Sequence, residues 1–108
     1  MKMPRDLYSS LGPIPVAVVD TIHSAESDLT TCGRYKQLSR TIELSREVTS
    51  DEALVEVLFH EWIHVALIDA GLAHMMDDRV QEAVCDAVGG LLAGAMLNGN
   101  LVLRNSGK

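Results

Sequence analysis

The sequence lacks the features that mark several large classes of protein. It has only two cysteines, Cys32 and Cys85, in 108 residues, which is too few for a disulfide framework and indicates a reducing compartment. It also lacks an excess of positive charge, since nine basic residues stand against fifteen acidic ones for a net charge of −6. Nucleic-acid binding usually needs a basic face, so we expect no nucleic-acid partner. The local basic cluster is typical of a solvated hairpin face and comprises Arg34, Lys36, Arg40 and Arg46.

Long hydrophobic runs and processing signals are also missing. The longest apolar stretch, 87–97, has about eleven residues and contains three glycines, whereas a membrane helix needs about twenty apolar residues. Residues 1–6 contain no apolar segment of the kind that a secretory signal requires. The chain has no repeat and no linker. We therefore expect one domain over residues 1–108, located in the cytoplasm and not in a membrane.

The first half of the chain has the pattern of β-strands. Residues 14–20 are rich in β-branched side chains and predict a strand, whereas residues 20–32 are polar and predict a loop or a short helix. Residues 33–38 and 40–45 predict a hairpin. In its second arm the apolar residues are expected to face inward and the polar ones outward, namely Ile42 and Leu44 against Thr41, Glu43 and Ser45.

Helical periodicity dominates the second half, so the expected fold class is α+β. A first helix over about 50–70 is predicted by apolar residues at helical spacing. Thr49 followed by Glu52 fits a capping box at its start, and Gly71 is a natural residue for its end. The spaced apolar residues are Leu54, Val57, Leu58, Ile63, Leu67 and Ile68.

A second helix is predicted to begin near Asp77 or Asp78 and to run to about Leu97. Asn98 and Gly99 are typical of a helix end. The apolar residues 101–103 that follow predict a terminal strand or a segment packed on the core.

The first helix carries the sequence His60-Glu61-Trp62-Ile63-His64, which fits H-E-x-x-H. Positions four apart lie on one face of a helix, so His60 and His64 can bind the same metal ion. Glu61 lies between them and can reach a metal-bound water, which is the arrangement that a metal-dependent hydrolase needs. Trp62, the only tryptophan, is expected to be a core anchor.

Catalytic zinc commonly has three protein ligands, and Glu82 is the candidate for the third. It lies eighteen positions after His64, on the second helix, and Asp86 follows one turn later on the same face. Metal-bound histidine usually donates its other N–H group to a carboxylate, a role that Asp86 can fill. Other candidates are weaker, because they are expected in turns, at caps, on the surface or pointing elsewhere: His23, Asp69, His74, Asp77, Asp78 and Cys85. Small residues that let the helices approach closely continue the Glu82 face: Gly89, Gly90, Ala93 and Gly94.

At these positions the chain resembles the gluzincin zinc metallopeptidases, whose signature is H-E-x-x-H on one helix and Glu on a following helix, often with Asp four positions on. The layout of residues 33–95 is also similar to compact zinc peptidases of bacteria and phages, the ImmA/IrrE-type peptidases and the SprT-like domains. The resemblance implies a zincin-like fold, in which a small mixed sheet of about three strands packs on the active-site helix and a second helix carries Glu82.

The resemblance also implies one catalytic Zn²⁺ ion and a protein or peptide substrate that adds to an edge strand near residues 33–45. Larger members of the family stabilise the oxyanion with a downstream Tyr or His. In this chain Tyr35 is the last tyrosine and His74 is the only histidine after His64, so His74 is the candidate auxiliary residue.

Three functions are compatible with these residues. The first, which we expect, is a zinc-dependent endopeptidase that uses a metal-activated water with Glu61 as general base. The second is a zinc-binding regulatory or interaction module with little or no proteolytic activity. The third is a metal-free helical domain in which the motif is accidental.

Overall fold

The computed structural model describes residues 3–23 and 30–103. In these residues the strands and helices follow in the order β1 Asp6–Ser9, β2 Gly12–Val19, β3 Ile22–His23, β4 Thr30–Thr31, β5 Gly33–Lys36, β6 Thr41–Ser45, α1 Asp51–Asp69, a short 3₁₀ helix Ala73–Met75, and α2 Asp78–Leu97. Strands thus precede helices, which confirms the α+β class.

Four strands form one mixed sheet in the order β1-β2-β6-β5. β2 and β6 are parallel, whereas β1 and β5 pair antiparallel with them at the two edges. The sheet is therefore larger than the about three strands expected. The strand missing from the prediction is β1, which is only four residues long and depends on its hairpin with β2, where Ser9 pairs with Gly12.

The predicted hairpin is present as β5 and β6, with Tyr35 opposite Ile42. Ile42 and Leu44 are fully buried, as expected, but the outward direction predicted for Ser45 is wrong because Ser45 is 1% exposed. The chain turns back over the end of β6, where Ser45 Oγ accepts a hydrogen bond from Glu47 N at 3.2 Å. Ser45 is therefore a buried turn residue and not part of the solvated face.

Within residues 20–32, the loop or short helix predicted from polarity is not what the described residues form. β3 and β4 pair antiparallel, with Ile22 opposite Thr31. Ile22 is 1% exposed, which explains why this polar segment is held against the protein. Residues 24–29 of the prediction lie outside the described residues. His23 lies in β3 and not in a loop.

Helix α1 packs between the sheet and α2. On the sheet side it contributes Leu58 and Val65 to a cluster with buried residues of three strands, Leu7, Ile14, Ile42 and Leu44. On the other side Val55 and Phe59 pack with Ala93 of α2. Burying side chains of this size stabilises the fold by about 1.5–3 kcal/mol each. This two-sided burial fixes the direction in which the remaining residues of α1 point.

The ends of α1 are set by local hydrogen bonds. The cap is Ser50 and not the predicted Thr49, since Ser50 Oγ accepts from Ala53 N at 3.2 Å. Glu52 contributes differently from a capping box, because its carboxylate accepts from Ser50 Oγ at 3.3 Å. At the other end Gly71 has a φ of 75° and follows the helix as predicted. This left-handed residue redirects the chain towards α2.

Helix α2 begins and ends where the sequence predicted. Asp77 caps it by accepting from Val80 N at 2.9 Å, and Gly99 has a φ of 80° after the last turn. Residues 101–103 form no strand, but Leu101 and Leu103 pack against the cluster between the helices. The second of the two predictions for this segment is therefore confirmed.

The close approach of α2 to α1 depends on Gly89. A Cβ atom at Gly89 would lie 3.0 Å from His60 N and 3.2 Å from its Cα, so only hydrogen fits there. Gly90 and Gly94 were also predicted to allow close approach of the helices, but this is wrong, because a Cβ atom at either position would meet nothing within 4 Å. Of the four small residues predicted to allow close approach, Gly89 and the buried Ala93, 1% exposed, are therefore the two that lie against α1.

The basic residues of the hairpin region are paired with carboxylates. Arg34 Nε lies 2.7 Å from Glu43, and the exposed Arg46 lies 2.8 Å from Asp20. Arg40 binds Asp69, whose side chain is only 2% exposed, so the cap or surface role predicted for Asp69 is wrong. These pairs balance much of the positive charge on this face.

Among the described residues, α2 is long and apolar enough to cross a membrane by length and composition. The helix has 20 residues, and an 18-residue window with mean hydropathy 1.3 is 17% buried. A single helix of this kind is weak evidence for a span. The expectations of a cytoplasmic location and of no membrane contact remain predictions.

Candidate metal centre

Helix α1 places His60 and His64 side by side at the surface between its two buried faces. Their ring centroids are 4.9 Å apart and their Nε2 atoms are 3.2 Å apart. The side chains are 20% and 16% exposed, so both rings are held by their surroundings but can still be reached from solvent. This is the one-face arrangement that the spacing predicted.

Helix α2 brings Glu82 to the same two nitrogens. Its carboxylate oxygens lie 2.9 Å from His60 Nε2 and 3.2 Å from His64 Nε2. Glu82 is 56% exposed and approaches the histidines from the solvent side. The turn through Gly71 and the Asp77 cap make this meeting possible, because they let α2 return along α1.

The outer nitrogen of each ring has its own partner. Asp86 Oδ1 lies 2.8 Å from His60 Nδ1, which is the contact predicted for Asp86. Gln81 Nε2 lies 3.1 Å from His64 Nδ1, a contact that the sequence analysis did not anticipate. If His64 Nδ1 carries the proton, the Gln81 amide must present its oxygen, which rotation of the amide by half a turn achieves. Both contacts direct the Nε2 atoms towards Glu82.

The converging atoms fit a small divalent cation. Two neutral histidines with protons on Nδ1 direct two Nε2 lone pairs at each other, which is unfavourable without a cation between them. Donor atoms around tetrahedral zinc, with bonds of 2.0–2.1 Å, are about 3.3–3.4 Å apart. The separations of 3.2, 2.9 and 3.2 Å among His60, His64 and Glu82 are close to that value. Two imidazoles and a carboxylate are also a donor set that zinc accepts.

Burial lowers the pKa of His64, although the neighbouring Glu82 carboxylate acts in the opposite direction and the His60 charge adds to the lowering. A lowered pKa keeps the imidazole neutral near pH 7, and the neutral form is the one that binds a metal. The environment of His64 therefore suits a ligand better than a surface cation.

Glu61 lies beside His60 in a cleft that also includes Gly33 of the edge strand β5. The backbone of Tyr35 in β5 is near enough to the Glu61 carboxylate to stabilise its charged form. Burial raises the pKa of Glu61 to about 7, and Glu82 adds to the rise, while His60 and the Tyr35 backbone oppose it. A carboxylate with a pKa near neutrality can both accept and return a proton.

A cleft of about 400 Å³ lies between α1 and β5 beside these residues. Its walls include His60 and Glu61 from the motif, Asp86 from α2, and Gly33 from the edge strand. A Cβ atom at Gly33 would overlap Val57 Cγ1, so glycine lets β5 lie close to α1. The edge strand expected to receive a substrate thus forms one wall of the cleft.

Cys85 belongs to this site, although it was expected to point elsewhere on the helix. Its Sγ atom and one ring nitrogen each from His60 and His64 all lie within 4.8 Å of one another. The side chain is 0% exposed, and burial raises the pKa of its thiol to about 12, with Glu82, Glu61 and Asp86 adding to the rise. His60, His64 and Cys85 are therefore a group that could hold a metal. Glu82 contacts the same two histidines, so it could bind the metal either in place of Cys85 or together with it.

Two other residues occupy different surroundings. Trp62 packs against both core clusters, stacks on Phe59 with a centroid distance of 5.7 Å, and donates to Tyr8 O at 3.0 Å. It is the core anchor that was expected. His74 lies exposed in the 3₁₀ helix, and among the described contacts none joins it to the metal-centre residues.

The chain was compared with protein-family models, with curated proteins and with solved structures, and none of these comparisons finds a match. The arguments about function therefore depend on the geometry of the site itself.

Proposed function

We propose that the chain is a zinc-dependent metallopeptidase that hydrolyses peptide bonds and has a zincin-like fold. The observation that carries the proposal is the convergence of His60 Nε2, His64 Nε2 and the Glu82 carboxylate, at separations of 2.9–3.2 Å. A mixed sheet against α1, followed by α2 with Glu82, is the arrangement that the gluzincin resemblance implies.

In this proposal His60, His64 and Glu82 hold one Zn²⁺ ion, and Asp86 and Gln81 orient the two rings. When bound, the ion supplies Lewis acidity to the scissile carbonyl and lowers the pKa of a water molecule. Glu61 accepts the proton of the attacking water and returns it to the leaving amine. Its buried carboxylate lines the cleft next to His60, which favours proton transfer within the site and away from bulk water.

The proposed substrate is an extended peptide segment that adds to β5. This strand is at an edge of the four-stranded sheet and forms a wall of the cleft, which supports strand addition at this place. Backbone hydrogen bonds would hold the peptide in register, and the cleft would receive the residues around the scissile bond.

The decisive experiment is the Glu61→Gln substitution in the zinc-loaded chain. We expect loss of peptide hydrolysis with zinc still bound in a one-to-one ratio, because the amide cannot act as a base whereas the ligands are unchanged. Glu47→Gln is the matched control, since Glu47 is an exposed carboxylate in the loop before α1. Unchanged hydrolysis in Glu61→Gln would contradict the mechanism.

A second candidate function is a zinc-binding regulatory or interaction module. One observation favours it: among the described residues, neither His74 nor the two tyrosines is placed at the metal centre to stabilise an oxyanion. Tyr8 lines a separate groove beside Trp62, and the side chain of Tyr35 packs against the sheet core. Digestion of a peptide library in the presence of zinc distinguishes the two functions. Stoichiometric zinc without cleavage of any sequence would support the module and contradict the peptidase.

A further inference from the structure

Cys85 is a further potential ligand of the candidate metal centre, in addition to His60, His64 and Glu82. Its Sγ atom and ring nitrogens of both motif histidines form a group within 4.8 Å. Glu82 is 56% exposed, whereas Cys85 is 0% exposed, so the two residues approach the histidine pair from the solvent side and from the buried side.

The position of Cys85 is fixed by its neighbours on α2. Glu82 lies three residues earlier and contacts both histidines, and Asp86 follows directly with its contact of 2.8 Å to His60 Nδ1. Gly89 lies one turn later, where the backbones of the two helices are so close that a Cβ atom would lie 3.0 Å from His60 N. Cys85 is therefore held between points at which α2 contacts α1, and its thiol cannot move far from the histidines.

We infer that Cys85 is a fourth ligand that closes the metal centre in the resting protein. This inference rests on the proposed function, because it assigns a regulatory state to the same ion. Zinc has a high affinity for thiolate, and a site with four protein ligands is closed, whereas a catalytic site keeps one position open for water. A centre of two histidines, Glu82 and Cys85 is thus latent.

Closing of the metal centre by Cys85 releases one proton, and its opening takes one proton up. When the metal binds, the Cys85 S–H bond breaks, the proton passes to solvent and the sulfur–metal bond forms. When the centre opens, the sulfur–metal bond breaks, the thiolate takes up a proton and the vacated position becomes available to water. Peptide hydrolysis requires the second state.

The test uses Co²⁺ in the full chain after removal of other metals. Cobalt bound to a thiolate gives a strong sulfur-to-metal charge-transfer band in the near ultraviolet, in addition to the visible bands of any Co²⁺ complex. We expect this band in the wild-type protein and its loss in Cys85→Ser, with the visible bands retained but weakened. Cys32→Ser is the matched control, because Cys32 is exposed and lines the cleft between α1 and β5 that also includes His60. Its variant should keep the band.

The outcomes separate the inference from the proposed function. Visible bands without a charge-transfer band in the wild-type protein would overturn the role of Cys85 and leave the metallopeptidase proposal standing. A band that disappears in Cys32→Ser would assign the thiolate to the other cysteine and also overturn the inference. Failure of the chain to bind Co²⁺ or Zn²⁺ at all would overturn both. Cys85→Ala gives a second test, since an opened centre should hydrolyse peptides faster than the wild-type protein at saturating zinc.

Discussion

Arg40 forms a two-point ion pair with Asp69, with nitrogen–oxygen distances of 2.9 and 3.0 Å, and its second terminal nitrogen also donates to Ser9 Oγ at 3.1 Å. The pair joins the turn of the β5–β6 hairpin to the last residue of α1 and to the end of β1. Arg40 adopts a φ of 52°, a conformation that is uncommon outside glycine and that this contact stabilises. The β5–β6 hairpin, α1 and β1 are thus fixed to one another at one point.

The Arg40–Asp69 pair should make stability depend on pH in the acid range. The Arg40 hydrogen bonds lower the pKa of Asp69 below its ordinary value of 3.8. Because the folded-state pKa is the lower one, the stabilisation is complete above the ordinary value and is lost as the pH falls through the folded-state value. We expect Asp69→Asn to lower the free energy of unfolding at pH 6, and this difference from wild type to shrink below about pH 3.8.

Urea unfolding between pH 2 and pH 7 measures this effect. Asp20→Asn is the control, because Asp20 and Arg46 form an ion pair with side chains 86% and 66% exposed, for which we expect almost no change. Equal losses in the two variants would mean that the buried pair has no special role.

Substitutions at two adjacent glycines should have opposite effects. Gly89→Ala places a methyl group 3.0 Å from the backbone nitrogen of His60, so α2 must shift away from α1. We expect a loss of about 1–3 kcal/mol in the free energy of unfolding, together with weaker zinc binding. Gly90→Ala meets nothing within 4 Å and should stabilise the helix by about 0.5–1 kcal/mol. Unfolding curves with and without zinc measure both effects, and equal behaviour of the two variants would contradict the packing argument.

Zinc should stabilise the folded chain. At a free zinc concentration of about 100 times Kd the free energy of unfolding should rise by about 2.7 kcal/mol, because only the folded state has the assembled site. His64→Ala should abolish this rise. Asp78→Asn is the control, since Asp78 is an exposed residue in the first turn of α2, the helix that carries Glu82. A rise that persists in His64→Ala would place the ion elsewhere.

The partners of the outer ring nitrogens should tune the metal affinity. Asp86→Ala and Gln81→Ala each remove one such contact, at 2.8 Å from His60 and 3.1 Å from His64. We expect zinc affinity to fall about 10–100-fold in each variant, as is usual for groups that orient metal ligands. Competition with a chromophoric chelator gives the affinities. If neither variant differs from wild type, the two contacts do not orient the ligands.

Adjacent hydroxyl residues before α1 should differ in importance. Ser50→Ala removes the side chain that accepts from Ala53 N at 3.2 Å and should cost about 1 kcal/mol. Thr49→Ala should be close to neutral, because among the described hydrogen bonds the cap is made by Ser50. Thermal or urea unfolding compares them directly, and a larger loss in Thr49→Ala would restore the cap predicted from the sequence.

The sequence located both helices and the hairpin because their signals are local. Periodic apolar residues, Asp77 at a helix start and Gly71 at a helix end depend only on neighbours a few positions away. Thr49 and Ser50 are adjacent hydroxyl residues, and from the sequence either could cap α1. The structure identifies Ser50 as the cap, since its backbone is extended, with ψ of 132°, and its side chain accepts from Ala53 N. Strand β1 was missed because its stability comes from pairing with β2 and from packing Leu7 into the core.

The sequence predicted those relationships of the site that lie within a single helix. The shared face of His60 and His64 follows from their spacing of four residues, and the face shared by Glu82 and Asp86 follows from the same rule, whereas Glu61 was found from its place in the H-E-x-x-H pattern. Gln81 could not be found this way, because its contact with His64 depends on how the two helices cross. Cys85 was expected to point elsewhere on α2, but its spacing of four residues from Gly89, which lies against the His60 backbone, places it on the face that α1 covers.

The effect of the Tyr35 backbone on Glu61 has a consequence for any peptide that joins the sheet edge. The Tyr35 backbone lowers the pKa of the Glu61 carboxyl and so opposes the rise that burial causes. A strand that pairs with β5 at Tyr35 would accept from its N–H group, which would then stabilise the Glu61 carboxylate less. Peptide binding would thereby raise the pKa of Glu61 further and make it a stronger base beside the aligned peptide.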